Sequence, residues 1–323
     1  HIFHDVLIFQ DSEVLGDHLL VTGEGKIDIG EEPIDVMIVG QQTGPSSRRE
    51  DLVKLPASEY RRWNQSMGFP DGYRKAVYGM DLAEQRGWPV VVFVDTPGAD
   101  PSEYSEEQGQ AFAINEVIHK TTSLKTPNLS YIISQGASGG AIALTPTNRT
   151  IMNQYATYMV ISPGGCASIL FRNRSHESIR SAAEGLRLTA ADAFEQGTVD
   201  EVIEEGLHPG HRYPNELLAR AKRAVVRNLG QLLDLRAERA EMARREKFFA
   251  MGVWGESDAQ RHTDTLAKWA CEQSRAYASL VAAVTAYFAV RGGNNGRPMD
   301  EAAVKAQAEA RQEVARMIYA AQR

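Results

Sequence analysis

Short apolar segments alternate with amphipathic helical segments through the first two thirds of the chain. Asp35 to Gly40 and Pro89 to Asp95 are short runs rich in apolar residues, which predicts two buried strands. Between them, Gly72 to Arg86 places apolar residues at helical spacing, and Gly87 follows as a common helix stop. The pattern therefore predicts a helix that leads into a strand.

The same alternation continues up to residue 203. The pattern predicts a helix from about Ser105 to Leu124, a strand at Leu129 to Ser134 and, after a glycine-rich turn, an apolar helix at Ala141 to Leu144. Further predicted elements are strands at Arg149 to Gln154, Tyr158 to Ser162 and Val199 to Ile203 and a helix at Ala190 to Gln196. Repeated units of this size predict an α/β fold with a mainly parallel sheet and helices packed outside it.

The C-terminal third has a different pattern, that of long charged helices. We predict helices at Asn215 to Ala250, Ser257 to Val290 and Asp300 to Gln322, and a division into a domain of residues 1–255 and a helical extension of residues 256–323. Residues 276–290 are apolar almost all round, so this helix must be covered on more than one face. Another subunit and the chain's own tail are equally good candidates for that cover.

Composition and charge exclude several classes of protein. The chain is 43% hydrophobic and 24% charged, which is typical of a soluble globular protein. Its 35 Lys and Arg against 42 Asp and Glu give a net charge of -7, which argues against nucleic-acid binding. No apolar run reaches the ~20 residues that a bilayer helix needs, so we expect no membrane span.

The two cysteines and the first residue bear on location. Cys166 and Cys271 are far apart and match no zinc spacing, which predicts free thiols, a cytoplasmic protein and no metal site in this chain. The sequence begins at His1 without a methionine or a signal-peptide pattern. We therefore expect that residues precede it in the natural protein.

Two glycine-containing loops could carry chemistry. The first loop, Asp95–Ala99, follows a predicted strand, where ligands of α/β sheets gather, although a Pro-Gly turn alone is common in any loop. The second loop, Ser134–Ala141, also joins a strand to a helix and contains Gly136, Gly139 and Gly140. Its backbone N–H groups, together with the helix dipole, are suited to stabilising a developing oxyanion.

The second loop also fits a different class of enzyme. Gly136-x-Ser138-x-Gly140 is the pattern of a hydrolase nucleophile elbow. Such a triad would need Asp192 or Asp200 as its acid and His208 or His211 as its base. Because these histidines lie in a polar loop, solvated surface histidines are the better interpretation.

A third segment, Ile161–Ser168, opens a short helix with proline and small residues. Cys166 within it could act as a nucleophile only beside a general base, and the sequence shows none. We therefore expect a small buried thiol.

These segments, in this order, resemble one known family. With the stretch from Met67 to Ala76 ahead of them and Tyr155–Tyr158, Val160–Pro163, Arg244–Phe248 and Met251–Val253 around and after them, they closely resemble the alpha subunits of the carboxyltransferase component of bacterial acetyl-CoA carboxylase. The resemblance covers roughly residues 33–253, which is most of the chain. It implies a crotonase-like α/β fold, a spiral of strand-strand-helix units, ahead of the helical extension.

The resemblance also implies a reaction. Carboxybiotin on a biotin carboxyl carrier protein would give its carboxyl group to acetyl-CoA or a related short acyl-CoA, and the product of acetyl-CoA would be malonyl-CoA. The active site would be shared with a beta subunit that carries the zinc and most of the CoA pocket, most simply in an α2β2 core. The catalytic amides map onto Gly139 and Gly140. Residues that would line the substrate and biotin sites are Gly98, Ala99, Gly136, Ser138, Ser162, Pro163, Gly164, Gly165 and Cys166.

This chain departs from the family at two of these places. After the first loop it has Asp100, which we expect to place an acid near the substrate mouth, and Gly164 stands where family members usually have a glutamate. Two alternative functions remain open. One is a biotin-dependent decarboxylase subunit acting on a malonyl-type thioester, and the other is a non-catalytic scaffold organised by the helical tail.

Overall fold

The computed structural model describes residues 2–9, 19–43, 63–235 and 237–251. Its strands are β1 (His4–Phe9), β2 (Leu20–Ile29), β3 (Glu32–Gln41), β4 (Val90–Thr96), β5 (Asn128–Ala137), β6 (Arg149–Asn153), β7 (Thr157–Met159) and β8 (Glu201–Ile203). Its helices are α1 (Pro70–Arg86), α2 (Glu103–Glu107), α3 (Gln110–Ser123), α4 (Ser138–Ile142), α5 (Pro163–Leu170), α6 (His176–Leu186), α7 (Ala190–Glu195), α8 (Pro214–Leu233) and α9 (Ala237–Phe249).

In these residues the strands form one mixed sheet of eight strands. The order is β1-β2-β3-β4-β5-β6-β8, and β7 pairs with β5 beside this path. All pairings from β3 to β8 are parallel, as the alternating pattern predicts, whereas β1, β2 and β3 pair antiparallel. The pattern did not predict β1 and β2, because the glycines and charged residues of β2 interrupt its apolar positions.

Helices cover both faces of the sheet, and the alternation of side chains along the strands sorts the core into two clusters. Val90, Val92 and Val94 of β4 face one cluster with buried residues of α1 and α3, whereas Val91 faces the other with buried residues of α8. Burial on both faces explains why β4 is apolar from Val90 to Val94.

Several predicted elements have different bounds. The helix predicted at Ser105 to Leu124 is two helices, α2 and α3, because Gly109 between them has a φ of 78°. The single long helix predicted at Asn215 to Ala250 is also wrong, since α8 ends at Leu233 and α9 begins at Ala237. The strand predicted at Tyr158 to Ser162 is only Thr157–Met159, since Pro163 already opens α5.

Some predictions on the C-terminal part are not tested. The helices predicted at residues 257–290 and 300–322 lie outside the described residues, and the division into residues 1–255 and 256–323 stays a prediction. None of the helices in the described part of the chain has the length and apolar character that a bilayer crossing requires.

Candidate functional site

The two glycine-containing loops lie side by side at the carboxyl ends of β4 and β5. These strands are parallel, and Thr96 at the end of β4 is in register with Gly136 near the end of β5. The hydroxyl of Thr96 accepts a hydrogen bond from Gly98 N at 3.2 Å, which fixes the start of the first loop. The sheet therefore brings together two segments that are separated by about 40 residues in sequence.

A bulge in β5 directs the second loop. Val94 pairs with Ile132, but Thr96 pairs with Gly136, so β5 has two extra residues over this interval. Before the bulge β5 pairs with β6, and after it Gln135 to Ala137 pair with β7. The bulge thus separates the second loop from β6 and places it between β4 and β7.

Asp95 stabilises this bulge. Its carboxylate Oδ1 accepts a hydrogen bond from Gln135 N at 3.2 Å. Burial raises the pKa of Asp95 above its ordinary value, although the hydrogen bonds from Gln135 N and the Ser134 hydroxyl act in the opposite direction. The carboxyl group therefore has a clear structural role at the bulge.

Gly140 allows the two loops to touch. A Cβ atom on Gly140 would lie 2.5 Å from the carbonyl carbon and 2.6 Å from the carbonyl oxygen of Gly98, and 2.8 Å from Ala99 N. Such distances overlap backbone atoms, which have no room to move aside. Only glycine fits at position 140 without parting the loops.

Backbone amides at the start of α4 are the hydrogen-bond donors that the site can offer to a ligand. Gly139 and Gly140 lie in the first turn of α4, where N–H groups have no acceptor within the helix. Ser138, just before them, has a φ of 57°, a left-handed conformation that costs a non-glycine residue about 1 kcal/mol. Gly139 is half-buried and Gly140 is buried, so the site can hold an oxyanion partly shielded from water.

The third segment emerges on the same side of the sheet. Met159 of β7 is in register with Ala137 of β5, and Ser162 follows three residues later. Ser162 caps α5 by accepting a hydrogen bond from Gly165 N at 3.2 Å, and Pro163 occupies the first helical position, as predicted. Within residues 63–235 no hydrogen bond joins Ser162–Cys166 to the second loop, so the pairing of β5 with β7 is what brings the two segments to the same edge of the sheet.

Two residues of this segment have informative surroundings. Cys166 is buried in a small cluster with Ala167 and Ala182, which confirms the expectation of a buried thiol. A Cβ atom on Gly164 would lie 2.9 Å from the guanidinium of Arg174. The position where the family usually has a glutamate is therefore next to a basic side chain in this protein.

The expectation that Asp100 places an acid at the substrate mouth is wrong. Asp100 is only 5% exposed, and its carboxylate accepts hydrogen bonds from the side chains of Asn64, Ser102 and Ser105. Burial alone would raise its pKa, but these hydrogen bonds together lower the pKa below its ordinary value. Asp100 is turned inward because it fixes the loop between β4 and α2.

Sequence patterns missed Gln41, the last residue of β3. Its Nε2 donates a hydrogen bond to Gly140 O at 3.0 Å, and its Oε1 accepts one from Asp95 N at 3.1 Å. The side chain is 7% exposed and joins both glycine-containing loops. The one available signal was a polar residue directly after the apolar run Val36–Gly40.

The hydrolase interpretation finds no support in this geometry. Asp200 accepts a hydrogen bond from Thr150 N, and Thr150 is in register with Ser130, eight residues before Ser138. Along a strand this separation is about 25 Å. Asp192 is used in the capping box of α7 and in an ion pair with Arg187.

Within the part of the chain that the structure describes, no triad forms around Ser138. In the described ranges no histidine forms a hydrogen bond to Ser138, and the ring of His208 lies against Tyr213. The same ranges contain no group of three His, Cys, Asp or Glu side chains that could hold a metal ion.

Comparison with known sequences gives consistent relatives. The family described as acetyl co-enzyme A carboxylase carboxyltransferase-like matches residues 1–252. The alpha subunit of acetyl-coenzyme A carboxylase carboxyl transferase from Ruthia magnifica is 35% identical over 253 residues, which are 78% of this chain and 75% of that protein. A protein of Salinispora arenicola named as the beta/alpha subunits is 41% identical over 229 residues, 71% of this chain and 38% of its own length.

Comparison with solved structures shows the fold. A transcarboxylase 12S structure with methylmalonyl-coenzyme A bound has a TM-score of 0.52 at 18% identity, over 68% of this chain and 37% of that one. This similarity confirms the predicted crotonase-like α/β fold. From its sequence match over residues 1–252 and its relatives, the chain belongs to the family of acetyl-CoA carboxylase carboxyltransferase alpha subunits.

Proposed function

We propose that this chain is a carboxyltransferase alpha subunit that moves the carboxyl group from carboxybiotin, held on a biotin carboxyl carrier protein, to acetyl-CoA. The product is malonyl-CoA, a precursor for fatty acid biosynthesis in the cytoplasm. The observation that carries the proposal is the first turn of α4, where the amides of Gly139 and Gly140 have no helical acceptors and Gly140 packs against the first loop. Membership of the family supports the same reaction.

The residues present fit these ligands. Carboxyl transfer to a thioester develops negative charge on two oxygens, the thioester oxygen and the ureido oxygen of biotin. Backbone N–H groups stabilise such charge without exchanging a proton, and Gly136 to Gly140 contain no acidic or basic side chain. The site therefore suits an oxyanion and leaves proton transfer to the ligands.

When bound, carboxybiotin would supply the carboxyl group as CO2 and a ureido nitrogen to accept the proton that the acyl-CoA methyl group must lose before it takes up that CO2. The amides of Gly139 and Gly140 donate hydrogen bonds to one of the two charged oxygens. Gly98 and Ala99 form the wall against which Gly140 packs, which holds the donors in place. Gly136 and Ser138 shape the turn ahead of the donors, and Ser162 to Cys166 line the approach of biotin.

The proposed site is complete only with a beta subunit. The donors of this chain account for one of the two oxygens, so the second oxygen and most of the CoA contacts fall to a partner. The Salinispora relative, whose name joins beta and alpha subunits in one protein, supports this arrangement. We propose an α2β2 core in which zinc belongs to the beta subunit.

The oxyanion assignment is testable by removing one N–H donor at a time. Glycolic acid in place of Gly139 or Gly140 turns the amide into an ester without adding atoms that clash. Because one lost donor of this kind costs about 3 kcal/mol of barrier, malonyl-CoA formation by the reconstituted complex should fall by about 100-fold. Gel filtration with the beta subunit checks that assembly is unchanged.

Ser138→Ala is the matched control for the same turn. Its hydroxyl has no proposed role as a nucleophile, so transfer should fall by less than about tenfold. Full transfer by both esters would contradict the oxyanion assignment. Complete loss of activity in Ser138→Ala, with thioester hydrolysis by the unmodified chain alone, would support a hydrolase instead.

A further inference from the structure

The first turn of α4 needs an external restraint, because Gly139 and Gly140 are two successive glycines. Glycine has more accessible backbone conformations than any other residue, so this pair does not hold its own amides in one direction. Gly98 and Ala99 restrain one side of Gly140 by close packing. The direction of the Gly140 carbonyl is set by another group.

That group is the side chain of Gln41. Its Nε2 donates to Gly140 O at 3.0 Å, and the side chain is buried at the end of β3. Holding this carbonyl fixes the rotation of the planar peptide that follows Gly140, and with it the backbone of Gly140 itself. The N–H group of Gly140 belongs to the peptide directly before this one, and the N–H group of Gly139 to the peptide before that.

The other end of the same side chain holds the first loop. Gln41 Oε1 accepts a hydrogen bond from Asp95 N at 3.1 Å, where β4 runs into Pro97 and Gly98. One planar amide group thus sets the relative position of both loops. A side chain without both a donor and an acceptor cannot do this, because the two partners are a carbonyl and an N–H group.

We propose that Gln41 is a positioning residue for carboxyl transfer, which orients the Gly139 and Gly140 amides toward the developing oxyanion by holding Gly140 O and Asp95 N together. This inference rests on the proposed function. It predicts that Gln41 acts on turnover and not on acyl-CoA affinity, since its side chain is buried and holds the backbone groups Gly140 O and Asp95 N.

The first test replaces Gln41 by methionine, which has a similar length and no hydrogen-bonding amide. In the complex reconstituted with the beta subunit and a biotinylated carrier, kcat should fall about 10- to 100-fold while KM for acetyl-CoA changes by less than about threefold. The matched control is Gln42→Met at the exposed neighbouring position, which should leave kcat unchanged. Active-site titration corrects both values for any loss of folded complex.

The second test is Gln41→Glu, followed as a function of pH. A protonated carboxyl group has one donor and one acceptor, as the amide has, whereas a carboxylate has no donor for Gly140 O. The groups around it that titrate are the buried hydroxyl of Tyr73 and the carboxyl group of Asp95. Because burial favours the neutral acid, the ratio of the variant's kcat to the wild-type kcat should rise as the pH falls from 8 to 6.

The outcomes separate this inference from the proposed function. Near-wild-type kcat in Gln41→Met, or a flat ratio in Gln41→Glu while the wild-type complex is active, would overturn the role of Gln41. If Gln41→Met does not fold, the pH dependence of Gln41→Glu decides the question. Absence of transfer by the wild-type complex would overturn the proposed function, and this inference with it.

Discussion

The parallel strands β4, β5 and β6 have very different surroundings at their two ends. At the carboxyl ends, the first-turn amides of α4 have no helical acceptors, and they lie in a run of small residues. At the amino ends, Arg244 of α9 is 1% exposed and donates five hydrogen bonds, to the carbonyls of Thr122, Leu124 and Thr126 and the side chains of Asn128 and Asn148. These five bonds use all the donors of a guanidinium group.

The comparison shows that a good sequence motif does not by itself indicate a ligand site. Both the second loop and Arg244–Phe248 match the family. Only the loop has N–H donors without a helical acceptor, whereas all the donors of the Arg244 guanidinium group are used. Burial lowers the pKa of Arg244 to about 10, so it stays charged at neutral pH, and within the described residues no carboxylate forms an ion pair with it. Its role is to join α9 to the end of α3 and the starts of β5 and β6.

The largest expected effect on stability comes from Arg244→Met. This change removes all five hydrogen bonds and so takes one donor from each of five acceptors in a buried region, and the free energy of unfolding should fall by about 4 kcal/mol. Urea denaturation followed by circular dichroism measures it. Arg245→Met is the matched control, because Arg245 is mostly exposed and its ion pair with Glu241 is worth less than about 1 kcal/mol. Equal effects of the two changes would mean that the five hydrogen bonds of Arg244 do not hold α9 against α3, β5 and β6.

Gly140→Ala should have a smaller effect on stability and a larger one on transfer. Its Cβ overlaps the Gly98 carbonyl group, so the loops must part, at a cost of about 2 kcal/mol. Gly139→Ala is the control, since its Cβ meets only Ile114 Cδ1 at 3.4 Å and alanine favours a helix. Thermal unfolding of both variants checks that Gly140→Ala is the less stable of the two. If Gly139→Ala were less stable than Gly140→Ala, the packing described for the two loops would be contradicted.

The smallest effect is expected from Asp95→Asn, as a change in pH dependence. Burial raises the pKa of Asp95, so the native state binds this proton more tightly than the unfolded chain, in which the pKa is about 3.9. The stability contributed by this group therefore decreases as the pH rises from about 4 through the raised pKa. An asparagine keeps the acceptor for Gln135 N and removes this decrease.

The measurement is the free energy of unfolding of wild type and Asp95→Asn at pH 4.5 and pH 7.5. The variant should gain stability relative to wild type at the higher pH. Parallel pH curves would show that the Asp95 carboxyl group is not perturbed by folding.

The sequence by itself determined the class of fold and predicted the chemistry of the site. Apolar runs such as Pro89–Asp95 and the amphipathic segment Gly72–Arg86 predicted β4 and α1, because burial of a strand or helix face is a local property of its residues. Glycine at positions 98, 136, 139 and 140 predicted backbone donors, because a glycine has no side chain that would keep a ligand away from its backbone.

Only the tertiary structure decided how those residues meet. The bulge in β5, the contact of Gly140 with Gly98 and the inward turn of Asp100 all depend on partners at least 30 residues away in sequence or on a register that no local pattern encodes. Gln41 and Arg244 are polar residues whose hydrogen-bond partners lie up to about 120 positions away. Their roles follow from geometry, since a buried amide or guanidinium group is defined by what surrounds it.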